Sequence, residues 1–318
     1  MAVSNSLANR ASNKPAPFSV VINSDGYKKM INNTLRDPGR ANRFVASIVT
    51  AVSVNPTLQE CENSSIVSAA LLGETLGLSP SPQLGQFYMV PFDNKKKGIK
   101  QATFQLGYKG YIQLAIRSGY YKKINVLAIK EGELVRYNPL DEDIEVRLIE
   151  DEVERENAPT AGYYAMFEYM NGFKKTLYWS KQKMLKHADK YSQAFSLEAT
   201  TGKYPKVSYA DFEAGNYDKG TEWLYSSFWY KDFDGMALKT MLRQLISKWG
   251  IMSIEMQKAI DGDMGVIRED GSVDYVDNDT GNTPDAADTG DNVINVNPET
   301  GEVIEDAADP AAEFFGGK

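Results

Sequence analysis

An α+β fold, with helices packed on an antiparallel sheet, is what this sequence predicts, and three observations predict it. Apolar residues recur at helical spacing in two stretches before residue 77 and in one near residue 240. Between residues 120 and 180 the apolar residues alternate with polar ones instead, and Asn171-Gly172 separates two such runs, a strong hairpin signal. The strand-like runs follow one another without intervening helical patterns, so the regular alternation that builds a parallel sheet is missing.

Taken in order, the first twenty residues are polar, hold Pro15 and Pro17, and read as a flexible arm. Phe44, Val45, Ile48, Val49 and Val52 predict a helix over Ala41 to Val54, stopped by Asn55-Pro56. A second helix is expected from Ser64 to Leu76, with Ile66, Val67, Ala70 and Leu71 inward and Gly77 as its stop. Two alternating segments then flank the turn-rich stretch Asp93 to Lys100, which predicts a protruding β-hairpin with a basic tip. A short helix, Lys109 to Ser118, is closed by Gly119, and strands follow around Ile124, Leu134, Ile144, Tyr163 to Met170 and Phe173 to Trp179. Ser180 can cap a helix running to about Tyr191, whereas residues 192 to 220 show no clear pattern. Gly235 to Trp249, with Asp234 as its cap, is the clearest helix of all.

Charge divides the chain unevenly. Of the 318 residues, those from Asp261 to Lys318 carry 16 acids and two bases, a net charge of −14, while residues 1 to 260 carry +6. The acidic stretch has too little apolar surface to offset its ordering entropy and is expected to be a disordered tail. The expected organisation is therefore an arm over 1–20, a folded core over 21–260 and the tail over 261–318.

Whole classes of chemistry are disfavoured. A single cysteine, Cys61, cannot form an intrachain disulfide or a thiolate metal cluster. No signal-peptide core precedes the body, and the most apolar stretch, Phe44 to Val54, is half a membrane span, so a cytoplasmic protein without membrane contact is expected. Neither GxxxxGK[ST] nor GxGxxG occurs, and the one histidine, His187, reads as a surface helix residue. Asp232, Asp234 and Glu255 are the only acids suggesting a metal-dependent nuclease, the alternative reading; no cofactor and no metal are expected.

The basic residues fall on faces. Lys239 and Arg243, four apart, form a stripe outside the apolar arc of the last helix, with Lys248 on its other flank. Lys109, Gln113 and Arg117 line one side of the helix after the hairpin, beside Tyr108. The tip adds Lys95, Lys96, Lys97 and Lys100, flanked by Phe92 and Phe104, and Lys122 and Lys123 follow Tyr120-Tyr121. Cations for phosphates interleaved with aromatics for bases suit a sequence-tolerant single-strand binder. A passive coating or adaptor protein would share this pattern.

Two segments go beyond pattern. LGLSPSPQLGQFYMVPF…FQLGYKGYIQLAIRSGYY, from Leu76 to Tyr121, and FWYKDFDGMALKTMLRQLISKWGIMS, from Phe228 to Ser253, resemble the RecT family of phage-type single-strand annealing proteins. The resemblance implies an ATP-independent recombinase that binds single-stranded DNA, anneals complementary strands and holds the nascent duplex in a basic groove of a homo-oligomeric ring or helical filament. It implies a core similar in topology to the Redβ and Rad52 annealing proteins. It assigns DNA contacts to Lys239, Arg243, Lys109 and Arg117, and it makes a 5′→3′ exonuclease and the host single-strand-binding protein candidate partners.

Overall fold

The computed structural model describes residues 16–275 except Lys96 and Gln193. The chain enters through α1 (Phe18–Val21) and α2 (Asp25–Leu35). Neither helix was expected, and Phe18 is buried, so the arm ends before residue 18. α3 (Pro38–Ser53) starts three residues earlier than its apolar pattern, because the Asp37 carboxylate accepts the Arg40 N–H at 2.8 Å and Pro38 takes the first helical position. After a short 3-10 turn comes α4 (Asn63–Thr75), buried on nearly every side. It ends where Gly77 takes a left-handed conformation (φ +63°), with the Gly77 and Leu78 N–H groups donating to Glu74 O and Gly73 O.

The hairpin β1 (Phe87–Asn94) and β2 (Ile99–Leu106) pairs from Phe87↔Leu106 to Asn94↔Ile99. Most of it is core: Phe87 and Phe104, both fully buried, stack 5.1 Å apart against α4, and only the tip emerges. α5 (Tyr108–Ser118) then leads into β3 (Tyr121–Lys130), followed by the small hairpin β4 (Leu134–Asn138) and β5 (Asp143–Val146). The helix α6 (Glu152–Asn157) precedes β6 (Thr160–Tyr169) and β7 (Lys174–Ser180), joined at Gly172 as the Asn-Gly pair predicts.

The Ser180 side chain caps α7 (Lys181–Tyr191) by accepting the Lys183 N–H. The stretch 192 to 220, which shows no pattern in sequence, holds α8 (Tyr209–Glu213), and a 3-10 turn beginning at Lys219 and α9 (Phe228–Lys231) continue from it. Aromatic packing organises it: Phe195, Tyr209, Phe212, Tyr225 and Tyr230 form one network of ring contacts. The long helix α10 (Phe233–Trp249) is capped by Asp232, which accepts the Gly235 N–H at 3.0 Å. The expected cap, Asp234, lies inside the first turn instead.

The core does not stop at residue 260. α11 (Ile254–Gly262) and the strands β8 (Gly265–Ile267) and β9 (Val273–Tyr275) extend the hairpin into a four-stranded sheet ordered β1-β2-β8-β9. Val266 and Ile267 are buried, so the expected tail boundary at 261 is too early. Residues 276–318, which hold most of the expected tail, lie outside the described residues. The second sheet, β3-β6-β7, is antiparallel, and α5, α10 and α7 pack across it. No described helix is long and apolar enough to cross a membrane.

Candidate nucleic-acid interface

The seat of α5 explains the GYKG sequence. Gly107 donates its N–H to Gln86 O at 2.9 Å. A Cβ on Gly107 would lie 2.1 Å from Gly85 O, and one on Gly110 2.1 Å from Gln86 O, so both positions require glycine for backbone contact. Lys109 and Gln113, four apart, lie on the exposed side of α5. They border a depression of about 290 Å³ that Gln83, Leu84, Gln86 and Ile112 complete. Half-buried Tyr108 lies under the Lys109 ammonium at 5.9 Å, and Tyr88 approaches the exposed Phe228 ring at 6.0 Å. Gln83, Gln86 and Tyr88 escaped the sequence reading, although LGQFY, directly before the hairpin, places all but Gln83 in one motif.

Arg117, the third member of the expected row, is exposed like the other two and also serves the fold. Its guanidinium donates to Leu76 O and to Gly77 O, the latter at 3.3 Å, satisfying carbonyls at the end of α4. A Cβ on Gly77 would fall 2.4 Å from Arg117 Nη1. The two ends of the Leu76 to Tyr121 motif are therefore a single packing unit.

The hairpin tip is exposed at Lys95 and Lys97, while Lys96 lies outside the described residues. Asn94 shapes the turn by accepting the Lys97 N–H with its side chain and the Gly98 N–H with its backbone carbonyl. Lys97 pairs with Asp274 at 3.4 Å, and Lys100 with Glu60 and, at 3.9 Å, Asp93. The pairing holds the Lys100 pKa above its ordinary value. At the extended-strand rise the tip lies roughly 25 Å from the start of β1 beside α5, so the two candidate patches are well separated. Lys122 and Lys123 are exposed at the start of β3, Lys122 paired with Glu168. Phe104 is corrected outright: its ring is in the core and offers no face to a base.

Lys239 is the second correction. It is 6% exposed, and its ammonium lies 2.8 Å from Oδ1 of Asp263, itself 2% exposed, which also accepts the Leu106 N–H at 2.9 Å. Burial pushes the Lys239 pKa down, against the attraction of Asp263. Arg243, half-exposed, reaches the other Asp263 oxygen at 3.5 Å. The expected solvent-facing stripe is thus covered at its first residue, because α11 turns the chain back over α10 and delivers Asp263. Lys248 is exposed near the end of α10.

The acids of the nuclease alternative do not converge. Asp232 caps α10, and Asp234 accepts hydroxyl hydrogen bonds from Tyr163 at 2.6 Å and Thr160 at 3.1 Å. Both line a cleft of about 590 Å³ beside Lys130, Lys181 and Lys231, whereas Glu255 sits in the first turn of α11 and faces the charge of Arg117. Among the described residues no three acidic, histidine or cysteine side chains form a metal-binding group. His187 lies half-buried with its ring tilted against that of Tyr191, and burial pushes the Cys61 thiol up to about 11.

The chain with this basic helix row, seated by glycines beside a hairpin in an α+β core, is similar in sequence to known proteins. The model of the RecT family matches residues 42–280, past the boundary expected for the core and through β8 and β9. The chain is 40% identical over 238 residues to the uncharacterized protein YqaK of Bacillus subtilis (strain 168), covering 75% of this chain and 67% of that one. It is 29% identical over 245 residues to Protein RecT of Escherichia coli (strain K12), covering 76% and 78%. The chain belongs to the RecT family of single-strand annealing recombination proteins.

Proposed function

We propose that this chain binds single-stranded DNA and anneals complementary strands without ATP, holding the nascent duplex on a homo-oligomer, ring or helical filament. Given the family, the observation that carries the reading is the exposed α5 row, with Lys109 and Gln113 over a depression edged by Gln83 and Gln86 and close to Tyr108. Lysine neutralises phosphate charge and so lowers the repulsion between two strands, while amide side chains hydrogen-bond sugars and base edges without demanding one sequence. Catalysis of pairing is then positioning: strands held in an extended array meet at high local concentration. The exposed tip lysines, Lys95 and Lys97, act after first contact by steadying the paired product. A 5′→3′ exonuclease that generates single strands and the host single-strand-binding protein that coats them are the partners such an activity calls for, in the cytoplasm.

The test is to mix two complementary labelled strands with the protein in EDTA. An annealer accelerates pairing. A passive coating protein slows it, and that result would overturn the reading. Lys109→Gln is expected to weaken single-strand binding and to lower the salt slope by about 0.7.

A further inference from the structure

Between the end of α10 and the outer side of α7 lies a second basic and aromatic surface, separate from α5 and the hairpin tip. Lys175 and Trp179, two apart twice over on β7, point to the helix-covered face of the sheet, as the register Phe167↔Lys175 and Tyr163↔Trp179 requires. The Lys175 ammonium sits 4.4 Å over the Trp249 ring, and that of Lys183 4.5 Å over the Trp179 ring. His187, one turn on, lies between Trp179 and Tyr191, with ring centroids at 5.3 and 4.5 Å. Met184 and Ala188 bury the adjoining side of α7. Trp249 stays 38% exposed and Tyr191 47%.

The charge balance of this strip is unusual for a folded surface. Lys175 has a carboxylate partner, Glu142. Lys183, Lys186 and Lys248 have none among the described residues. Burial, and after it the charge of Lys248, pushes the Lys183 pKa down. Like charges gathered on one surface with a single carboxylate among them, Glu142, favour the arrival of an anion. A chain of anions carrying exposed flat rings satisfies both the lysines and the tryptophans. A duplex satisfies only the lysines, because its bases are stacked inside.

We infer that the α7–α10 strip is a second binding site for single-stranded nucleic acid, with Lys183 and Lys248 on the phosphates and Trp249 available to stack on a base. The inference rests on the single-strand reading above and adds a second surface to it, as an activity that brings two strands together needs.

The experiment measures binding of an oligothymidylate by the full chain across a salt series, for the parent, Lys183→Gln/Lys248→Gln, the charge-keeping Lys183→Arg/Lys248→Arg, and Trp249→Ala. The glutamine pair is expected to lower the salt slope by about 1.4, the arginine pair to restore it, and Trp249→Ala to weaken binding by at least about fivefold. Rescue by arginine separates lost contact from lost fold. If the parent binds and the glutamine pair binds with the same affinity and slope, this inference is overturned and the single-strand reading stands. If the parent does not bind, that reading fails and takes the inference with it. If the glutamine pair loses affinity only for an acidic peptide of residues 278–318, the strip is a protein-docking face and the inference is overturned.

Discussion

Lys239 on α10 and Asp263 just after α11 form an ion pair at 2.8 Å inside the core, and the same carboxylate anchors the backbone of β2 through the Leu106 N–H. The pair joins both sheets. Lys239→Ala would leave the buried carboxylate with only Arg243, 3.5 Å from its other oxygen, a loss on the order of 3 kcal/mol, the lower end of the range for a broken buried pair. A urea melt is expected to show that loss, and any fall in DNA binding should track the unfolded fraction. If Lys239→Ala melts like the parent but binds DNA poorly, the lysine is a contact residue after all.

Glycines 107 and 110 hold α5 against the 83–86 loop. Gly110→Ala forces a Cβ to within 2.1 Å of a backbone oxygen, which only movement of the helix relieves. The expected outcome is a destabilised chain with weakened single-strand binding. Lys109→Gln, by contrast, should weaken binding at unchanged stability, and paired melting and anisotropy measurements separate the two.

The hairpin tip carries Lys95 and Lys97 on a turn where burial is least. Lys95→Ser/Lys97→Ser should leave single-strand affinity nearly unchanged and shorten the lifetime of the captured duplex. Equal loss of both in stopped-flow and dissociation assays would argue against a separate role for the tip.

Acid should loosen the β3–β4 connection. The fully buried Glu133 carboxylate accepts hydrogen bonds from Arg155 at 2.6 Å, Lys130 N–H at 2.8 Å and Ile149 N–H at 3.1 Å. Burial opposes ionisation there, and these donors outweigh it, so the pKa lies below the ordinary 4.5. A carboxylate with a lowered folded pKa binds fewer protons in the folded state. Its stabilisation is therefore full above pH 4.5 and fades as pH falls through the lower folded value. Urea midpoints from pH 7 to pH 3 should show this fall in the parent, and Glu133→Gln should lack that part of it.

Truncation separates core from tail. Ending the chain after Ile260 removes Asp263 and β8 and should abolish folding. Ending it after Asp277 keeps both and removes a segment of ten acids and one base. If that segment competes with DNA for the basic surfaces, the shorter chain binds more tightly at low salt, and the difference vanishes at high salt. Equal affinity at every salt concentration leaves solubility or partner docking, through Phe314-Phe315, as its role.

The α+β class, the helices over residues 41–54, 64–76, 109–118 and 235–249, and both hairpins were legible in the sequence, because periodicity and turn chemistry are local. So was the α5 row, since helical spacing alone places Lys109 and Gln113 on one face. Residues 192–220 were not legible, because their order comes from aromatic contacts between distant positions rather than from any period. The fates of Lys239, Arg117 and Phe104 were decided by tertiary structure alone. A helical wheel shows which residues share a stripe but not what folds back over it. Only the return of the chain through α11 brings Asp263 to Lys239, and only the packing of α4 beside α5 gives the exposed Arg117 a second task as the clasp of a helix end. Burial of a charge depends on a partner far away in sequence, and that information belongs to the assembled fold.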